Sequence, residues 1–424
     1  MSLLDELKHR GLLADVTDRD GLVELLASTS IPVYVGYDPT ASSLHVGNLI
    51  PTILLKRFQL AGHKPIVLVG GSTGMIGDPS GKSAERNLLD DETLNANVAG
   101  IRAQLSRLLD FSDAPSGATM VNNIDWTRNV TFLEFLRDVG KYLTINYMLG
   151  KDSVSKRIES ESGISYTEFS YMLLQAFDFV QLNKLHGCRL QMGGSDQYGN
   201  ITAGCELQHK LRGEKLFGLT APLLLDSRGE KMGKSSEGER IWLDAERTSP
   251  YTFYQYWFNR NDEEAPRMLK IFSLKPLGEL DALIQAHDAD RAKRTAQREL
   301  ARAMTSWIHG DVALAQVERA SRVMFGEALD GLTDADLGMI ASTVGVVDIP
   351  RSELTTGIGI IDLLVRTVSS SKSEARRLIT QGGAYINNQR VSQVEHQVSI
   401  NDLATETMLV VRGGRKDYKL VRAV

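Results

Sequence analysis

Residues 31–69 read IPVYVGYDPTASSLHVGNLIPTILLKRFQLAGHKPIVLV and decide the fold class. Ile31 to Tyr37 is rich in β-branched and aromatic residues, a helical pattern then ends near Ala61-Gly62, and Ile66 to Val69 forms a second apolar run. A strand, a helix and a strand in this order predict a βαβ unit with parallel strands and a right-handed crossover. We therefore expect a doubly wound, Rossmann-like α/β fold that binds ligands at the carboxyl ends of its strands.

The length and composition of the chain indicate a globular protein of more than one domain. Single cores stop growing at about 250–300 residues, and this chain has 424. Hydrophobic residues make up 42% and charged residues 24%, as in ordinary globular proteins. Because the chain has no long apolar run and its first residues mix charges with leucines, we interpret it as cytoplasmic and not membrane-bound.

Charge is unevenly distributed along the chain. Residues 351–424 contain 11 Lys and Arg against 7 Asp and Glu, a balance of +4. The remaining 350 residues contain 37 basic and 46 acidic side chains, a balance of −9. A basic C-terminal module on an acidic body indicates an RNA partner.

The two cysteines, Cys188 and Cys205, lack the spacing of a zinc site or of a disulfide framework. We expect both to be buried thiols. No structural metal is predicted.

The middle of the chain is predicted to be mostly helical. Helical patterns cover Thr131 to Asn183, and Arg291 to Phe325 has Ala, Arg and Glu at helical spacing. Between them, Arg189 to Met192 is typical of a strand that leads into a Gly-rich turn.

The C-terminal module shows the pattern of a small α+β domain. Ser371 begins a helix that Gly382-Gly383 ends. Two short strands then flank Asn387-Asn388, which is typical of a hairpin turn.

Two short motifs give the strongest functional signal, and each is weak alone. His45-Val46-Gly47-Asn48 opens the predicted crossover helix, and Lys231-Met232-Gly233-Lys234-Ser235 lies in a later loop rich in glycine and charge. A glycine at a helix start lets a nucleotide approach N–H groups that favour phosphate, and lysine charges suit a triphosphate. A lone HxGx is usually accidental and a lone KMGKS is usually a solvated loop. In this order and setting, the pair resembles the two signatures of class I aminoacyl-tRNA synthetases.

A further pair of cations could meet pyrophosphate. Lys82 and Arg86 are four residues apart, so on a helix they would share one face. A solvated charged face is an equally good interpretation. The segment is not a P-loop, because that motif requires a glycine where this chain has Ile76.

A polar stripe lies within the helical pattern from Tyr166 to Asp178. Tyr171, Gln175 and Asp178 fall at i, i+4 and i+7, on one helical face, among apolar neighbours. If the stripe is buried, its polar groups need partners, which a bound polar ligand would supply. Spacing alone favours the alternative, in which the stripe faces solvent.

Together these segments resemble the tyrosyl-tRNA synthetase family along nearly the whole chain. The matching blocks, in order, are Tyr34 to Ala41, Gly70 to Gly81 with Asp78-Pro79, Tyr171-x-x-x-Gln175-x-x-Asp178, and Gln191 to Gln197. The departures are Asn48 in place of a second histidine, Gly233 at the centre of the segment from Lys231 to Ser235, which we call the lid motif, and Val35 where cysteine is common. Asn48 can still donate to a phosphate.

The resemblance implies a role for each site residue. Tyr34 and Asp178 would bind the phenolic hydroxyl of L-tyrosine. Its ammonium group would be held by Asp78, Tyr171 and Gln175, with Gln197 near the carboxylate. ATP would contact Gly36, Asp38, His45, Gly47, Gly194, Asp196 and Lys234. The catalytic residues around the phosphates would be Thr40, His45, Asn48, Lys82, Arg86, Lys231, Lys234 and Ser235.

The resemblance also implies a division of the chain. Residues 1–225 would form the Rossmann-like catalytic domain, 226–325 the lid loop and a helical domain, 326–354 a linker, and 355–424 an α-L type RNA-binding domain. In that last domain Lys372, Arg376 and Arg377 would contact phosphate, although a solvated basic helix remains open. The implied reaction uses ATP as substrate, with Mg²⁺ on its phosphates, to activate L-tyrosine and esterify it to tRNA(Tyr). A homodimer is implied.

Three other functions remain open at the level of sequence. They are a class I enzyme for tryptophan, a carboxylate-activating nucleotidyltransferase that uses no tRNA, and a catalytically silent RNA-binding relative. Tyr34 with Asp178 argues against the first, and the C-terminal module argues against the second. The intact lid motif, His45 and Asp78 argue against the third.

Overall fold

The structure is a computed structural model. It describes residues 1–80, 90–159, 163–225, 232–233, 238–324, 326–327, 329, 331–414 and 417–424. Five of the residues predicted around the phosphates lie outside these ranges, namely Lys82, Arg86, Lys231, Lys234 and Ser235. The chain packs as two compact units, of which the first contains Met1–Asp244 and Asn261–Ala296 and the second contains Ala245–Arg260 and Gln297–Val424.

The described residues form the following elements. The helices are α1 (Leu3–Arg10), α2 (Arg19–Ser28), α3 (Leu49–Leu60), α4 (Thr73–Ile76), α5 (Asp91–Leu108), α6 (Ile124–Thr127), α7 (Phe132–Asp138), α8 (Ile145–Leu149), α9 (Asp152–Ile158), α10 (Tyr166–His186), α11 (Tyr198–Arg212), α12 (Pro250–Phe258), α13 (Glu264–Phe272), α14 (Leu277–Ala289), α15 (Thr295–His309), α16 (Asp311–Met324), α17 (Asp334–Gly338), α18 (Ala341–Val344), α19 (Arg351–Thr356), α20 (Ile360–Thr367) and α21 (Lys372–Thr380). The strands are β1 (Pro32–Tyr37), β2 (Lys64–Val69), β3 (Thr119–Asn122), β4 (Leu190–Gly194), β5 (Phe217–Ala221), β6 (Val346–Ile349), β7 (Ile358–Gly359), β8 (Ala384–Ile386), β9 (Gln389–Arg390), β10 (Gln397–Val398), β11 (Met408–Gly413) and β12 (Asp417–Ala423). Single 3₁₀ turns occur at Val46–Asn48, Gly140–Tyr142, Ser195–Gln197, Arg291–Lys293 and Ile400–Asp402.

A parallel sheet forms the core of the first unit, with strand order β3-β2-β1-β4-β5. The β1, α3, β2 succession confirms the predicted βαβ unit, and Tyr34 pairs in register with Ile66. Because β2 and β4 pair with opposite edges of β1, the strand order reverses between β1 and β4. The carboxyl ends of these two strands therefore form the switch point at which such folds bind ligands.

The N-terminal segment precedes the first strand of the sheet. It contains two helices, because Gly11 at φ 77° ends α1 before α2 begins. The left-handed region is accessible to glycine at little steric cost. The buried Arg10 side chain then connects α1 to the last turn of α13 and the backbone after it, donating to the carbonyls of Lys270, Ser273 and Lys275.

The long helix α10 carries the predicted polar stripe. Ser165 caps its first turn by accepting from the N–H of Glu168, and Gly187 at φ 65° ends it. Tyr171 and Asp178 are buried on this helix. The structure thus places the stripe inside the protein, against the solvent-facing alternative, and the buried polar groups need partners.

The second unit contains a helical part and the C-terminal sheet. The sheet has strand order β6-β12-β11-β8-β9, in which β6 and β12 are parallel and the other pairs are antiparallel. The predicted hairpin turn is present, with Asn387 at φ 48° and Asn388 at φ 62° between β8 and β9. Positive φ at both central residues is the geometry of a type I′ turn.

The segment 326–354, predicted to be a linker, contains secondary structure in its described residues. α17, α18 and β6 lie within it, and β6 pairs with β12, Val346 opposite Leu420. The C-terminal sheet therefore begins inside this segment. A strand of four residues whose partner is far along the chain leaves no local pattern to recognise.

Two further expectations concern membranes and thiols. None of the helices described here is long and apolar enough to cross a membrane. Cys188 is buried, whereas Cys205 is half-buried, and both are free thiols.

Candidate active site

A cavity of about 510 Å³ opens at the carboxyl ends of β1 and β4. It brings together every described residue that the sequence predicts for the amino acid and the nucleotide, from segments far apart in the chain. These residues are Tyr34, Gly36, Asp38, Thr40, His45, Gly47, Asn48, Asp78, Tyr171, Gln175, Asp178, Gly194, Asp196 and Gln197. The cavity therefore coincides with the switch point of the sheet.

One end of the cavity offers a buried hydroxyl and a buried carboxylate. The Tyr34 ring is fully buried and packs edge-on against Phe179, with 5.2 Å between ring centroids. Its hydroxyl has no hydrogen-bond partner among the described residues. Burial raises the pKa of Tyr34 well above its ordinary value, and the nearby Asp178 adds to this effect, so the phenol stays neutral and can donate.

The Asp178 carboxylate is held by two donors. Nδ2 of Asn123 donates to Oδ2 and Nε1 of Trp126 donates to Oδ1, each at 2.9 Å. Burial raises the pKa of Asp178 to about 7, the two donors oppose that rise, and Asp38 reinforces it. Tyr34 and Asp178 together thus offer one donor and one acceptor to a hydroxyl group on a ligand.

Asp38 connects the two walls of the cavity. Its Oδ2 accepts from the Tyr171 hydroxyl and its Oδ1 accepts from Oγ1 of Thr73, both at 2.8 Å. Burial raises the pKa of Tyr171, and Asp38 and Asp78 raise it further, so this phenol also remains a neutral donor. Gly70 leaves the space for the arrangement, because a Cβ there would overlap Oδ1 of Asp38 and Oγ1 of Thr73.

A ring of amides surrounds Asp78. Gln197 donates from Nε2 to Oδ2 of Asp78 at 2.6 Å, and Gln175 donates from Nε2 to Oε1 of Gln197 at 3.3 Å. Asn200 completes the ring with a bond of 3.1 Å to Oε1 of Gln175. In the described part of the chain no basic side chain forms an ion pair with Asp78. This excess of acceptors suits a cationic group such as an ammonium.

The opposite end of the cavity presents donors at the start of the crossover helix. Nδ1 of His45 accepts from the N–H of Gly47 at 3.0 Å, so the proton of the neutral ring lies on Nε2. Oδ1 of Asn48 accepts from the N–H of His45 at 3.0 Å, which leaves the Nδ2 group of Asn48 for another acceptor. Donors at a helix start favour an anion such as phosphate.

Several residues of the site have no recognisable signal in the sequence. Asn123, Trp126, Thr73 and Asn200 hydrogen-bond to predicted site residues, and Arg240 lines the cavity near His45. Most lie 35 to 55 positions from their partners, where periodicity carries no information. Asn200 is the exception, since it follows Gln197 by three residues.

The residues predicted to contact RNA lie outside this cavity, on α21 of the second unit. Lys372, Arg376 and Arg377 are all exposed there. Nζ of Lys372 lies 2.7 Å from Oδ1 of Asp362.

Comparison with known proteins identifies related chains over both units. Residues 27–326 match the family described as tRNA synthetases class I (W and Y). Residues 342–421 match the family described as the tyrosine–tRNA ligase SYY-like C-terminal domain.

Individual relatives agree with the family matches. The chain is 48% identical to a tyrosine–tRNA ligase of Rhodopirellula baltica, over 99% of this chain and 96% of that protein. It is 47% identical to a tyrosine–tRNA ligase of Roseiflexus castenholzii, over 100% of both. A C-terminally truncated mitochondrial tyrosyl-tRNA synthetase of Coccidioides posadasii matches with a TM-score of 0.67 and 34% identity, covering 75% of this chain and 91% of that one. The chain therefore belongs to the tyrosine–tRNA ligases, a family of class I aminoacyl-tRNA synthetases.

Proposed function

We propose that the cavity binds L-tyrosine and ATP side by side, so that the chain forms tyrosyl-adenylate there before transferring tyrosine to tRNA(Tyr). The observation that most directly supports this proposal is the Tyr34 hydroxyl. It is buried without a hydrogen-bond partner in the described residues and lies beside the Asp178 carboxylate. A buried polar group of this kind is costly unless a ligand pairs with it. The phenolic hydroxyl of tyrosine can accept from Tyr34 and donate to Asp178.

The same pair supports selection of tyrosine over phenylalanine. Phenylalanine would fill the space but would leave the Tyr34 hydroxyl and the Asp178 carboxylate unpaired. Sites built to bind a substrate hydroxyl reject the analogue that lacks it, and tyrosyl-tRNA synthetase is the standard example of this principle. No separate editing site is needed for this discrimination.

The ammonium group of tyrosine fits the acidic wall of the cavity. Asp78, Tyr171 and Gln175 would hold it, with Gln197 close to the carboxylate. The support is the excess of oxygen acceptors around Asp78 and the absence of an ion-pair partner for it in the described residues. In this orientation the tyrosine carboxylate points toward the His45 end of the cavity.

Adenylate formation would proceed by in-line attack of the tyrosine carboxylate on the α-phosphorus of ATP, with pyrophosphate leaving. Gly36, Asp38, Gly194 and Asp196 would position the ribose and adenine side, and donors on Thr40, His45, Gly47 and Asn48 would meet the phosphates. Lys82, Arg86, Lys231, Lys234 and Ser235 would complete this set. Positioning and charge stabilisation carry such a transfer without a protein nucleophile.

Mg²⁺ fits this site as a companion of the triphosphate. It prefers phosphate and water oxygens to an all-protein cage. Over the described ranges, no group of three His, Cys, Asp or Glu side chains could hold a metal ion. Mg²⁺ would therefore enter on ATP, where it withdraws negative charge from the phosphates.

The second unit would bind the RNA. Lys372, Arg376 and Arg377 would contact its phosphates from the exposed face of α21, in the segment 342–421 that matches the C-terminal domain family. In this proposal, residues 1–225 form the catalytic part of the chain, 226–325 the lid and helical part, and 355–424 the RNA-binding part. We place the protein in the cytoplasm.

A homodimer is supported by exposed apolar side chains in the first unit. We name as the apolar dimer patch five exposed apolar side chains of the chain segment 132–166, namely Phe132, Leu133, Ile145, Leu149 and Tyr166, of which Leu133 is 77% exposed. Exposed apolar groups concentrated in one region mark interaction surfaces. A second copy of the chain would cover the patch through a two-fold contact.

Amino-acid-dependent exchange of labelled pyrophosphate into ATP, without tRNA, tests the proposal. We expect exchange with tyrosine and none with phenylalanine or tryptophan. Lys234→Ala should lower the pre-steady-state rate of adenylate formation and leave the tyrosine Kd unchanged. Exchange with tryptophan, or no exchange with any of the three amino acids, would contradict the proposal.

A further inference from the structure

Arg240 lies at the rim of the cavity, next to the end that presents His45 and Gly47. Its side chain is exposed, and no carboxylate among the described residues lies within ion-pairing distance of its guanidinium. The proposed mechanism does not use it. A cation that lines a ligand cavity without an acidic partner is available to an anionic ligand.

The backbone fixes Arg240 on the same face as His45. His45 and Trp242 form an antiparallel β-bridge, in which Val46 donates its N–H to the carbonyl of Ile241 and Leu243 donates to that of Leu44. Residues directly opposite each other on antiparallel segments share a face. Arg240 precedes Trp242 by two residues, so in an extended segment its side chain shares that face too.

Ring contacts fix the relative positions of the His45, Trp242 and Arg240 side chains. The His45 imidazole lies edge-on to the Trp242 indole, with 6.0 Å between ring centroids. The Arg240 guanidinium lies over the same indole, 5.3 Å from its centroid. Such a cation–π contact orients the guanidinium and leaves its N–H donors available at the edges.

The segment that forms the β-bridge with His45 also contacts Gly233 of the lid motif. Ile241 donates its N–H to the carbonyl of Gly233 at 2.9 Å. Gly233 has φ 124°, and a Cβ there would lie 3.3 Å from the backbone nitrogen of Gly47. The position of Arg240 is therefore tied both to the helix start that carries His45 and to the centre of the lid motif.

From this geometry we infer that Arg240 is a phosphate-binding residue, which contacts the pyrophosphate portion of ATP and the pyrophosphate that leaves. A guanidinium pairs with phosphate oxygens through two N–H groups at once, and its charge persists at all relevant pH values. The inference rests on the proposed function, because it takes the His45 end of the cavity to be the phosphate end. Arg240 would add a fixed positive charge to the predicted phosphate residues there.

Substitution of Arg240 tests the inference through pyrophosphate. For Arg240→Ala, Arg240→Lys and the parent chain, the rate of adenylate formation is measured against ATP concentration, and the rate of pyrophosphorolysis against pyrophosphate concentration. Arg240→Ala should raise the Kd for pyrophosphate and for ATP roughly tenfold, the effect of losing one charge-assisted hydrogen bond. Arg240→Lys should recover part of the loss, and the tyrosine Kd should stay within about twofold.

A matched control is Arg102→Ala, which removes an exposed arginine on α5 that does not line the cavity. It should change none of these constants. The inference is overturned if Arg240→Ala binds ATP and pyrophosphate as the Arg102→Ala control does. It is also overturned if Arg240→Ala impairs only the transfer of tyrosine to tRNA, since Arg240 would then contact RNA phosphate.

The proposed function and this inference fail in different ways. If the parent chain shows no tyrosine-dependent exchange, the proposed function fails. If the parent chain is active and the Arg240 variants match it in every constant, only the inference about Arg240 fails.

Discussion

Trp126 donates a hydrogen bond from its indole Nε1 to Oδ1 of Asp178 at 2.9 Å, although 52 positions separate the two residues in the chain. Asn123 supplies the matching donor to Oδ2. The two donors fix the orientation of the buried carboxylate and oppose the rise in its pKa. The remaining lone pairs of Asp178 are therefore offered in a fixed direction.

Replacing Trp126 by phenylalanine tests this positioning role. Trp126→Phe keeps an aromatic ring but removes the donor to Asp178, so the carboxylate is less well oriented and its pKa rises further. We expect the tyrosine Kd to rise on the order of tenfold, as for a lost hydrogen bond to a charged group. The ATP Kd should be unchanged and serves as the internal control. Equal losses for both ligands would indicate general disruption of the cavity.

The raised pKa of Asp178 predicts that tyrosine binding releases protons. In the free protein burial raises that pKa to about 7, so near neutral pH a large fraction of the carboxyl groups is protonated. Accepting the phenolic hydrogen bond requires the charged form, so tyrosine binding lowers the pKa. The tyrosine Kd should therefore rise as pH falls below about 7 and level off above about 8. Calorimetry in buffers of different ionisation enthalpy measures the released protons.

Asp178→Asn is the control for that experiment. It removes the titrating group, so the residual tyrosine binding should show no proton release. Proton uptake in the parent chain, or a tyrosine Kd that is flat between about pH 6 and 8, would show that Asp178 does not bind tyrosine as the charged form.

Gly70→Ala should disable the site through Asp38. The added Cβ would overlap Oδ1 of Asp38 and Oγ1 of Thr73, so at least one of the bonds that Asp38 accepts from Thr73 and Tyr171 should break. We expect the rate of adenylate formation to fall by at least tenfold, corresponding to more than about 1.4 kcal/mol. Gly278→Ala, where a Cβ would meet open space, should leave that rate unchanged. Similar activity of both variants would show that the overlap at Gly70 is relieved without moving Asp38.

The sequence predicted the scaffold and the side chains that line the cavity better than the residues that hydrogen-bond to those side chains. The βαβ unit from β1 to β2 and the stripe of Tyr171, Gln175 and Asp178 depend on local spacing, which a sequence displays directly. Trp126 and Asn123 act across more than fifty positions, and nothing in their own neighbourhoods marks them. Such long-range partners become visible only when the fold brings the segments together.

In the C-terminal part, too, local features were predictable from the sequence and long-range pairing was not. The hairpin at Asn387-Asn388 was predictable because a positive φ suits asparagine at a tight turn. Strand β6 could not be predicted, because its pairing with β12 depends on residues more than seventy positions away. Short strands that complete a distant sheet carry too few residues for an alternating pattern.

A buried ion pair should control the stability of the helices near α10. Arg157 on α9 and Glu168 on α10 form two hydrogen bonds of 2.9 and 2.8 Å, and both side chains are about 3% exposed. Arg157→Met leaves a buried carboxylate without this partner and should lower the free energy of unfolding by about 3–5 kcal/mol. The double variant Arg157→Met, Glu168→Leu should recover much of that loss. Urea unfolding followed by circular dichroism measures both, and a double variant less stable than Arg157→Met would contradict this account.

The apolar dimer patch predicts a substitution that should dissociate the proposed homodimer. Leu133 is 77% exposed on α7, within the patch, and in a dimer a carboxylate at this position would be buried without an ion-pair partner. Desolvating an unpaired charge costs several kcal/mol, so Leu133→Asp should shift a homodimer to monomers at micromolar concentration. Leu185→Asp is the matched control, because Leu185 is 54% exposed on α10 outside the patch, and it should remain dimeric. Sedimentation equilibrium separates the two outcomes. If the parent chain is dimeric and Leu133→Asp stays dimeric while Leu185→Asp dissociates, the interface lies near the end of α10 and not on the patch.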